Sequence, residues 1–207
     1  MFMHYSPFWL KAIFPKYLWH VPTREKKLYL TFDDGPIPDI TEMVLDTLAQ
    51  YGAKATFFCI GDNVRKHPEV YQKVLAAGHS VGNHTFNHLN GWKTEDTTYL
   101  SNIDQCTQQL NLSTRLFRPP YGRIKGSQAR VVMADKQVVM WDVLSGDFSK
   151  EVSSDTCLRQ SIKHTRSGSI LLFHDSIKAA PNMQYTVPRV LQHFTEAGFT
   201  FEALPMH

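Results

Sequence analysis

The sequence predicts an α/β protein in which parallel strands form an irregular, incomplete barrel. From about residue 25 onward, short apolar runs alternate with amphipathic stretches, and strands that alternate with helices indicate a parallel sheet. Almost every predicted strand ends in a polar, titratable residue. In a β/α barrel the carboxyl ends of all strands converge on one face, where the active site lies. With roughly six or seven strands instead of the usual eight, an incomplete barrel is favoured over an open doubly wound sheet.

Strands are predicted where β-branched and aromatic residues form short apolar runs bounded by turn-forming residues. The first run leads into Asp33-Asp34-Gly35-Pro36, which is typical of a turn. The predicted strands, in chain order, are residues 28–32, 56–60, 79–82, 115–118, 137–141, 169–173 and 199–201. The polar residues at their ends are Asp33, Asp34, His84, Arg118, residues 142–147 and His174.

Helices are predicted where apolar residues recur at helical spacing and a glycine follows. In the first of them Val44, Leu45 and Leu48 share one face, and Gly52 ends the segment. The predicted helices, in chain order, are residues 40–51, 68–77, 96–110, 127–135, 153–164 and 187–197. Ser153 or Ser154 is a candidate N-cap for the fifth helix.

Size and composition indicate one globular domain. The chain has 207 residues, of which 43% are hydrophobic and 20% charged, which is ordinary for a soluble protein with a sizeable core. The net charge of +3 is small and no run of Lys and Arg stands out, so nucleic acid is not an expected partner. Three widely spaced cysteines form no disulfide framework, and Cys59, in an apolar run, is predicted to be buried.

The first 24 residues form a separate aromatic segment ahead of the predicted domain, residues 25–207. Lysines and prolines interrupt its apolar residues. It therefore lacks the unbroken apolar centre of roughly 7–15 residues that a secretory signal needs, and it lacks the roughly 20 apolar residues that a membrane-spanning helix needs. It is expected to cover apolar residues of the domain. Alternatively, residues 1–22 contact a membrane surface weakly through Trp9, Ile13 and Phe14. The expected location is cytoplasmic or membrane-associated, and no oligomeric state is predicted.

Two adjacent carboxylates and two histidines four residues apart predict a metal site. Asp33-Asp34 follow the first strand, and His84 and His88 follow the third. If the segment from His84 to His88 is helical, both imidazoles lie on one face and can reach one ion. Three protein ligands with one open position are typical of catalytic zinc. Two imidazoles favour zinc, and cobalt, nickel, iron or manganese also suits such a donor set.

The remaining strand-end residues supply the proton transfers that a metal-activated water needs. One of the two aspartates can bind the metal while the other accepts a proton from water. His174 is a candidate acid, and Asp147 can pair with it and raise its pKa. Arg118 can hold a carboxylate through a fork of two hydrogen bonds. Each motif also has a simpler interpretation as a turn or as core packing, and their shared position at strand ends argues for a site.

Five segments, in this order, resemble the motifs of the polysaccharide deacetylases, the NodB-homology enzymes of carbohydrate esterase family 4. They are Thr31-Phe32-Asp33-Asp34-Gly35, His84-Thr85-Phe86-Asn87-His88, Arg118-Pro119-Pro120-Tyr121-Gly122, Trp141 with Asp147, and Leu172-Phe173-His174. The resemblance spans residues 25–205. It implies a distorted (β/α)7 barrel of NodB type, a divalent metal that is usually zinc, and hydrolysis of an N- or O-acetyl group on a sugar or polysaccharide.

The resemblance also implies a role for each matching residue. By position these are the general base Asp33, the metal ligands Asp34, His84 and His88, the general acid His174, Arg118 that orients the base, Asp147 that tunes the acid, and the backbone N–H of Tyr121 as oxyanion donor. An acetylated glycan is the implied partner.

The chain departs from the family pattern in its fourth motif. Phe148 stands where a Trp is frequent, and Leu144 stands where an Asp is frequent, so the substrate groove is expected to differ more than the chemistry. Trp92 and Trp141 are candidates for stacking on a sugar ring, and core packing is an equal interpretation of Trp141. Competing functions are an amide or formamide hydrolase of a small non-sugar substrate and a catalytically silent carbohydrate-binding protein.

Overall fold

A computed structural model describes residues 3–205, so Phe2, one of the aromatic residues of the amino-terminal segment, lies outside the described residues. The described chain contains eight strands and eight α-helices. The strands are β1 Lys27–Asp33, β2 Ala55–Cys59, β3 Ser80–Asn83, β4 Leu116–Phe117, β5 Gln137–Val138, β6 Val143–Leu144, β7 Ile170–His174 and β8 Thr200–Phe201. The helices are α1 Phe8–Ile13, α2 Ile40–Gln50, α3 Gly61–Lys66, α4 Pro68–Ala76, α5 Asp96–Leu110, α6 Gly126–Val132, α7 Ser154–His164 and α8 Ala180–Glu196, with 3₁₀ turns at Gly91–Lys93 and Pro120–Gly122.

The strands form one parallel sheet in the order β5-β4-β3-β2-β1-β7-β6, with β8 beside β1. The two outer strands, β5 and β6, follow each other in the chain and are joined by residues 139–142 alone, so the sheet curls round on itself. This confirms the predicted incomplete barrel. At the centre, Asp33 of β1 is in register with His174 of β7, which places two of the strand-end residues side by side.

The largest core cluster fills the space between the sheet and its helices. The rings of Phe32 and Phe57 stack with centroids 5.1 Å apart, and Phe173 lies 5.9 Å from Phe32. These three residues come from adjacent strands and are almost fully buried. The three cysteines are buried and free, as predicted for Cys59. The ordered core fixes the strands whose ends carry the polar residues.

The predicted helices are confirmed, but the last one begins earlier than the sequence indicated. The structure starts α8 at Ala180, whereas the prediction started at residue 187. Pro181 occupies the first helical turn, where it has no backbone N–H to leave unpaired, and Pro188 is accommodated inside the helix. Helices α1 and α3, each six residues long, were too short to predict from periodicity.

Residues 3–20, here called the amino-terminal strap, lie against the place where β5 passes into β6. The backbone N–H of Leu18 donates to Val138 O (2.8 Å) and that of Met140 to Leu18 O (2.7 Å). Trp19 is buried, whereas Phe8 and Ile13 are exposed. No helix among the described residues has the length and apolar character that crossing a bilayer requires. Weak membrane contact through this segment stays a prediction.

Candidate active site

The polar residues at the strand ends meet at one cavity of about 910 Å³. The predicted site residues that line it are Asp33, Asp34, His84, His88, Tyr121, Trp141 and His174. Arg118 and Asp147 are fully buried and contact the cavity residues by hydrogen bonds. The parallel sheet therefore brings together residues that are separated by up to 141 positions in the chain, as the barrel interpretation predicted.

Asp34, His84 and His88 form a cluster that fits one metal ion. The Nε2 atom of His88 lies 3.1 Å from Asp34 Oδ1, and that of His84 lies 3.7 Å from the same oxygen. One ligand atom from each residue lies within 4.8 Å of the other two. Within residues 3–205, no other group of three His, Cys, Asp or Glu side chains meets this spacing.

The segment that carries the two histidines is a loop, so the helical arrangement considered from the sequence is wrong. Thr85 (φ 61°) and His88 (φ 57°) both have positive φ, which a helix excludes. Asn102 Oδ1 accepts hydrogen bonds from the backbone N–H groups of Phe86 and Asn87, each at 2.9 Å. This asparagine on α5 therefore fixes the loop, and the imidazoles still converge with ring centroids 5.1 Å apart.

Asp34 is held in a conformation that turns one carboxylate oxygen toward the two imidazoles. Its φ is 84°, and its carbonyl accepts a hydrogen bond from Asn63 Nδ2 at 2.7 Å. Its Oδ1 is buried, lies 3.1 Å from His88 Nε2, and has no well-aligned hydrogen bond among the described residues; such burial is costly unless a cation is bound there. Burial alone would raise the pKa of Asp34, but the imidazoles of His88, His174 and His84 hold it below its ordinary value.

His84 is prepared to act as a neutral ligand. Its Nδ1 lies 2.7 Å from the carbonyl oxygen of Arg118, so the proton resides on Nδ1 and the lone pair on Nε2 faces Asp34. This is the usual outer contact of a metal-binding histidine. Burial lowers the pKa of His84 to about 4, so the imidazole is uncharged at neutral pH. The donor set and its surroundings fit a divalent cation.

Arg118 holds Asp33 by one hydrogen bond instead of the fork expected from the sequence. Its Nη1 donates to Asp33 Oδ1 at 2.7 Å and to Thr31 Oγ1 at 2.8 Å. Its Nη2 donates to Met140 O at 2.8 Å, and the guanidinium lies 4.1 Å from the ring of Phe58. Because the other donors are used by these neighbours, Asp33 keeps Oδ2 free, 3.7 Å from His84 Nε2.

Asp147 orients His174, as predicted. One carboxylate oxygen lies 2.8 Å from His174 Nδ1, and the other accepts the backbone N–H of His174 at 2.8 Å. Burial alone would lower the pKa of His174, but the charge and hydrogen bond of Asp147, with smaller effects of Asp34 and Asp33, raise it to about 9. The imidazole is therefore protonated at neutral pH, and its Nε2 is the ring nitrogen that Asp147 leaves free.

The aromatic candidates for sugar binding separate into two groups. Trp141 lines the cavity and also packs closely on Gly122, where a Cβ would lie 2.7 Å from the indole. Trp92 does not line the cavity. Its ring lies 5.1 Å below the guanidinium of Arg123. Leu144 and Phe148, the two departures noted in the sequence, are both in the cavity wall.

The comparisons with known proteins identify the family. Residues 20–139 match the family model described as polysaccharide deacetylase. A peptidoglycan-N-acetylglucosamine deacetylase from Bacillus cereus is 33% identical over 189 residues, covering 88% of each chain. The chain belongs to the polysaccharide deacetylase family. It is a hydrolase of carbon–nitrogen bonds other than peptide bonds, and enzymes of this family depend on a metal.

A further relative and a solved structure are similar to this polysaccharide deacetylase in sequence and in fold, respectively. A chitooligosaccharide deacetylase from Azorhizobium caulinodans is 32% identical over 161 residues, covering 75% of this chain and 76% of the relative. The solved structure of a peptidoglycan N-acetylglucosamine deacetylase, in complex with a naphthyl-substituted N-hydroxybenzamide, superposes with a TM-score of 0.88 at 29% identity. It covers 97% of this chain and 96% of that chain.

One residue of this polysaccharide deacetylase site was missed by the sequence analysis. Asp175 is fully buried, accepts the backbone N–H of Gly35 at 3.0 Å and the hydroxyl of Thr41 at 2.6 Å, and burial raises its pKa to about 8. A Cβ on Gly35 would lie 2.0 Å from its carboxylate. Asp175 therefore packs under the turn that carries Asp34. The sequence signal that could have pointed to Asp175 is its position directly after His174 at the end of a predicted strand.

Proposed function

We propose that the protein removes the acetyl group from N-acetylglucosamine in peptidoglycan or a related polysaccharide, by a metal-dependent hydrolysis. The observation that carries the proposal is the arrangement of Asp34, His84 and His88 as a metal site, with a free carboxylate oxygen of Asp33 on one side and a protonated His174 in the same cavity. Amide hydrolysis needs a base, an acid and an activated carbonyl, and this cavity offers a residue for each.

Asp34, His84 and His88 would hold the cation, which we propose to be zinc because of the two imidazole donors. When bound, a divalent cation supplies Lewis acidity, which lowers the pKa of water and polarises a carbonyl. The buried Asp34 Oδ1, which faces both imidazoles without a well-aligned hydrogen bond, and the neutral His84 support this assignment.

Asp33 is the proposed general base. Its Oδ1 is occupied by Arg118, which leaves Oδ2 to take a proton from the attacking water. The guanidinium fixes the direction of the carboxylate through the hydrogen bond to Oδ1, and the buried setting of both residues strengthens the pairing. Arg118 thus serves as a positioning residue for the base.

His174 is the proposed general acid. Asp147 binds Nδ1, so Nε2 donates the proton to the departing amine as the C–N bond breaks. The raised pKa of His174 keeps this proton in place at neutral pH, which a general acid requires. The product is a free amino sugar and acetate.

The backbone N–H of Tyr121 is the proposed donor to the oxyanion that forms on the acetyl oxygen. Tyr121 and Gly122 line the cavity, and Tyr121 has φ 61°, which turns the chain sharply after Pro120. Such donors are worth about 10²–10³ in rate. The ring of Tyr121 packs on His88 with centroids 4.7 Å apart, which ties this loop to the metal site.

The test uses Asp33→Asn with acetate release from chitooligosaccharides and peptidoglycan as readout. We expect acetate release to be abolished while the zinc content stays near that of the wild type, because Asp33 is not a proposed ligand. Asp104→Asn, an exposed carboxylate on α5, is the matched control and should keep full activity. Full activity of Asp33→Asn would refute the base assignment. Saccharide binding by the wild type without turnover in added zinc or cobalt would favour the silent binding protein.

A further inference from the structure

The amino-terminal strap forms part of the wall of the active-site cavity. Six of its residues line the same cavity as the proposed metal ligands, namely Met3, Tyr5, Ser6, Pro7, Leu10 and Trp19. The match to the family model begins at residue 20 and the first family motif at Thr31, so these residues precede both. The strap therefore adds a surface to the cavity that the family motifs do not assign.

Backbone pairing places the strap against the segment that joins β5 to β6. Near its start, the N–H of Ser6 donates to Asp142 O at 2.9 Å and the N–H of Leu144 donates to His4 O at 2.9 Å. Near its end, Leu18 pairs with Val139. Tyr5 and Ser6 lie at the first paired point, Pro7 and Leu10 lie between the two, and Met3 and Trp19 each lie next to one of them. The barrel therefore determines the position of the cavity-lining residues.

Asp142 holds the strap by its side chain as well. This buried carboxylate forms an ion pair with Lys11 Nζ, accepts the hydroxyl of Ser169 at 2.8 Å and lies 3.2 Å from His20 Nδ1. Burial alone would raise its pKa, but the contacts with His20, Lys11 and Ser169 hold it below the ordinary value. Asp142 does not line the cavity. It thus connects two points of the strap to the start of β7.

The chemistry of the strap surface suits the face of a sugar ring. None of the six cavity-lining residues is charged, and most are aromatic or aliphatic. A pyranose carries C–H groups on its faces, which pack on such side chains. The cavity volume of about 910 Å³ lies near the top of the range of about 300–1,000 Å³ for small-molecule sites, so it has room beyond one N-acetylated sugar.

We propose that the amino-terminal strap is one wall of the glycan-binding groove and takes the apolar face of a sugar next to the one that is deacetylated. The inference rests on the proposed function and adds a binding subsite to it. Tyr5 is the residue with the largest exposed ring in this wall, and its ring is stacked at 4.8 Å on His164 of α7. Asp142 and Lys11 are positioning residues that hold the wall in place.

The test compares a tetramer of N-acetylglucosamine with 4-nitrophenyl acetate, a small ester that does not reach the strap. For Tyr5→Ala, we expect kcat/KM for the tetramer to fall about fivefold further than kcat/KM for the ester, through KM, because one aromatic contact is lost. Phe8→Ala is the matched control, since Phe8 is an aromatic residue of the strap that is 83% exposed and does not line the cavity. An equal fall for both substrates, or an equal effect of Phe8→Ala, would overturn the proposal.

A second pair of variants tests how the strap is held. Lys11→Met should raise hydrogen exchange of residues 4–10 several-fold and lower the tetramer-to-ester ratio, because an ion pair to Asp142 is lost. Lys16→Met removes the same charge from an exposed position of the strap and should change neither. If Lys11→Met leaves both the hydrogen exchange of residues 4–10 and the tetramer-to-ester ratio unaltered, the ion pair between Lys11 and Asp142 does not hold the strap. Absence of acetate release from both substrates by the wild type would instead refute the proposed function.

Discussion

Replacing Asp147 with asparagine is expected to shift the alkaline limit of activity toward lower pH. The carboxylate of Asp147 contacts His174 twice, through the ring Nδ1 and through the backbone N–H. It is the largest of the influences that raise the pKa of His174, ahead of Asp34 and Asp33. Since the pKa is raised, the protonated acid persists as the pH increases until about 9 and is lost above that value.

The size of the effect follows from the pKa. The rise from the ordinary 6.5 to about 9 corresponds to about 3 kcal/mol in favour of the imidazolium. Without Asp147 the main influence that raises the pKa of His174 is gone, while the burial that lowers it remains, so the pKa falls. At about pH 8 the wild type, with a pKa of about 9, keeps about 90% of this acid protonated. We therefore expect kcat/KM for acetate release at about pH 8 to fall roughly tenfold or more, because each unit by which the pKa drops below the pH costs about tenfold in protonated acid.

The assay is kcat/KM for acetate release from N-acetylglucosamine tetramer across about pH 5.5 to 10, with zinc-loaded enzyme. The deficit of Asp147→Asn should shrink as the pH is lowered, because both enzymes then carry the proton on His174. Glu151→Gln removes a negative charge from an exposed position nearby and controls for a general charge effect. An alkaline limb at the same pH in wild type and Asp147→Asn would refute the assignment of His174 as the acid tuned by Asp147.

Three further perturbations test the site. Gly35→Ala places a Cβ 2.0 Å from the Asp175 carboxylate and should weaken zinc binding, measured by calorimetry, at least about tenfold. The control Gly126→Ala, with open space around the added Cβ, should leave the affinity for zinc unchanged. Equal affinities of the two variants would contradict the close packing of Gly35 on Asp175. Arg118→Leu leaves the buried carboxylate of Asp33 unpaired and should lower the free energy of unfolding in urea by about 3–5 kcal/mol. The control Arg130→Leu, at an exposed position, should change it by no more than about 0.5 kcal/mol. A similar loss in both variants would contradict a stabilising role of the buried pair. Treatment with a chelator should abolish acetate release and added zinc or cobalt should restore it; undiminished activity of the metal-free protein would exclude the metal-dependent reaction.

Much of the fold could be predicted because its signals are local. Short apolar runs marked most strands, amphipathic runs of period 3.6 marked most helices, and the carboxyl ends of parallel strands share one edge. The start of α8 at Ala180 could not be predicted, because Pro181 and Asn182 are compatible with either a turn or a first helical turn. The packing of Leu18 on Val139 joins residues 121 positions apart, and no local pattern records such a contact.

The chemistry of the site was more predictable than its geometry. Residue types and their order indicated the cluster of Asp34, His84 and His88, and the structure brings these residues together. The positive φ of Thr85 and His88 depends on Asn102 from another element, so the sequence could not exclude a helix there. The single hydrogen bond from Arg118 to Asp33 follows from the carbonyl oxygens of Val139 and Met140 in the link between β5 and β6, which engage the other guanidinium nitrogens and which only the folded chain brings there.

The most direct test of a single-cation active site is anomalous scattering at the zinc absorption edge from crystals of the zinc-loaded protein. We expect one strong peak about 2.0–2.2 Å from Asp34, His84 Nε2 and His88 Nε2, lost in His84→Ala. A zinc peak elsewhere in the chain, or full acetate release by crystals without a peak at these three residues, would contradict the account.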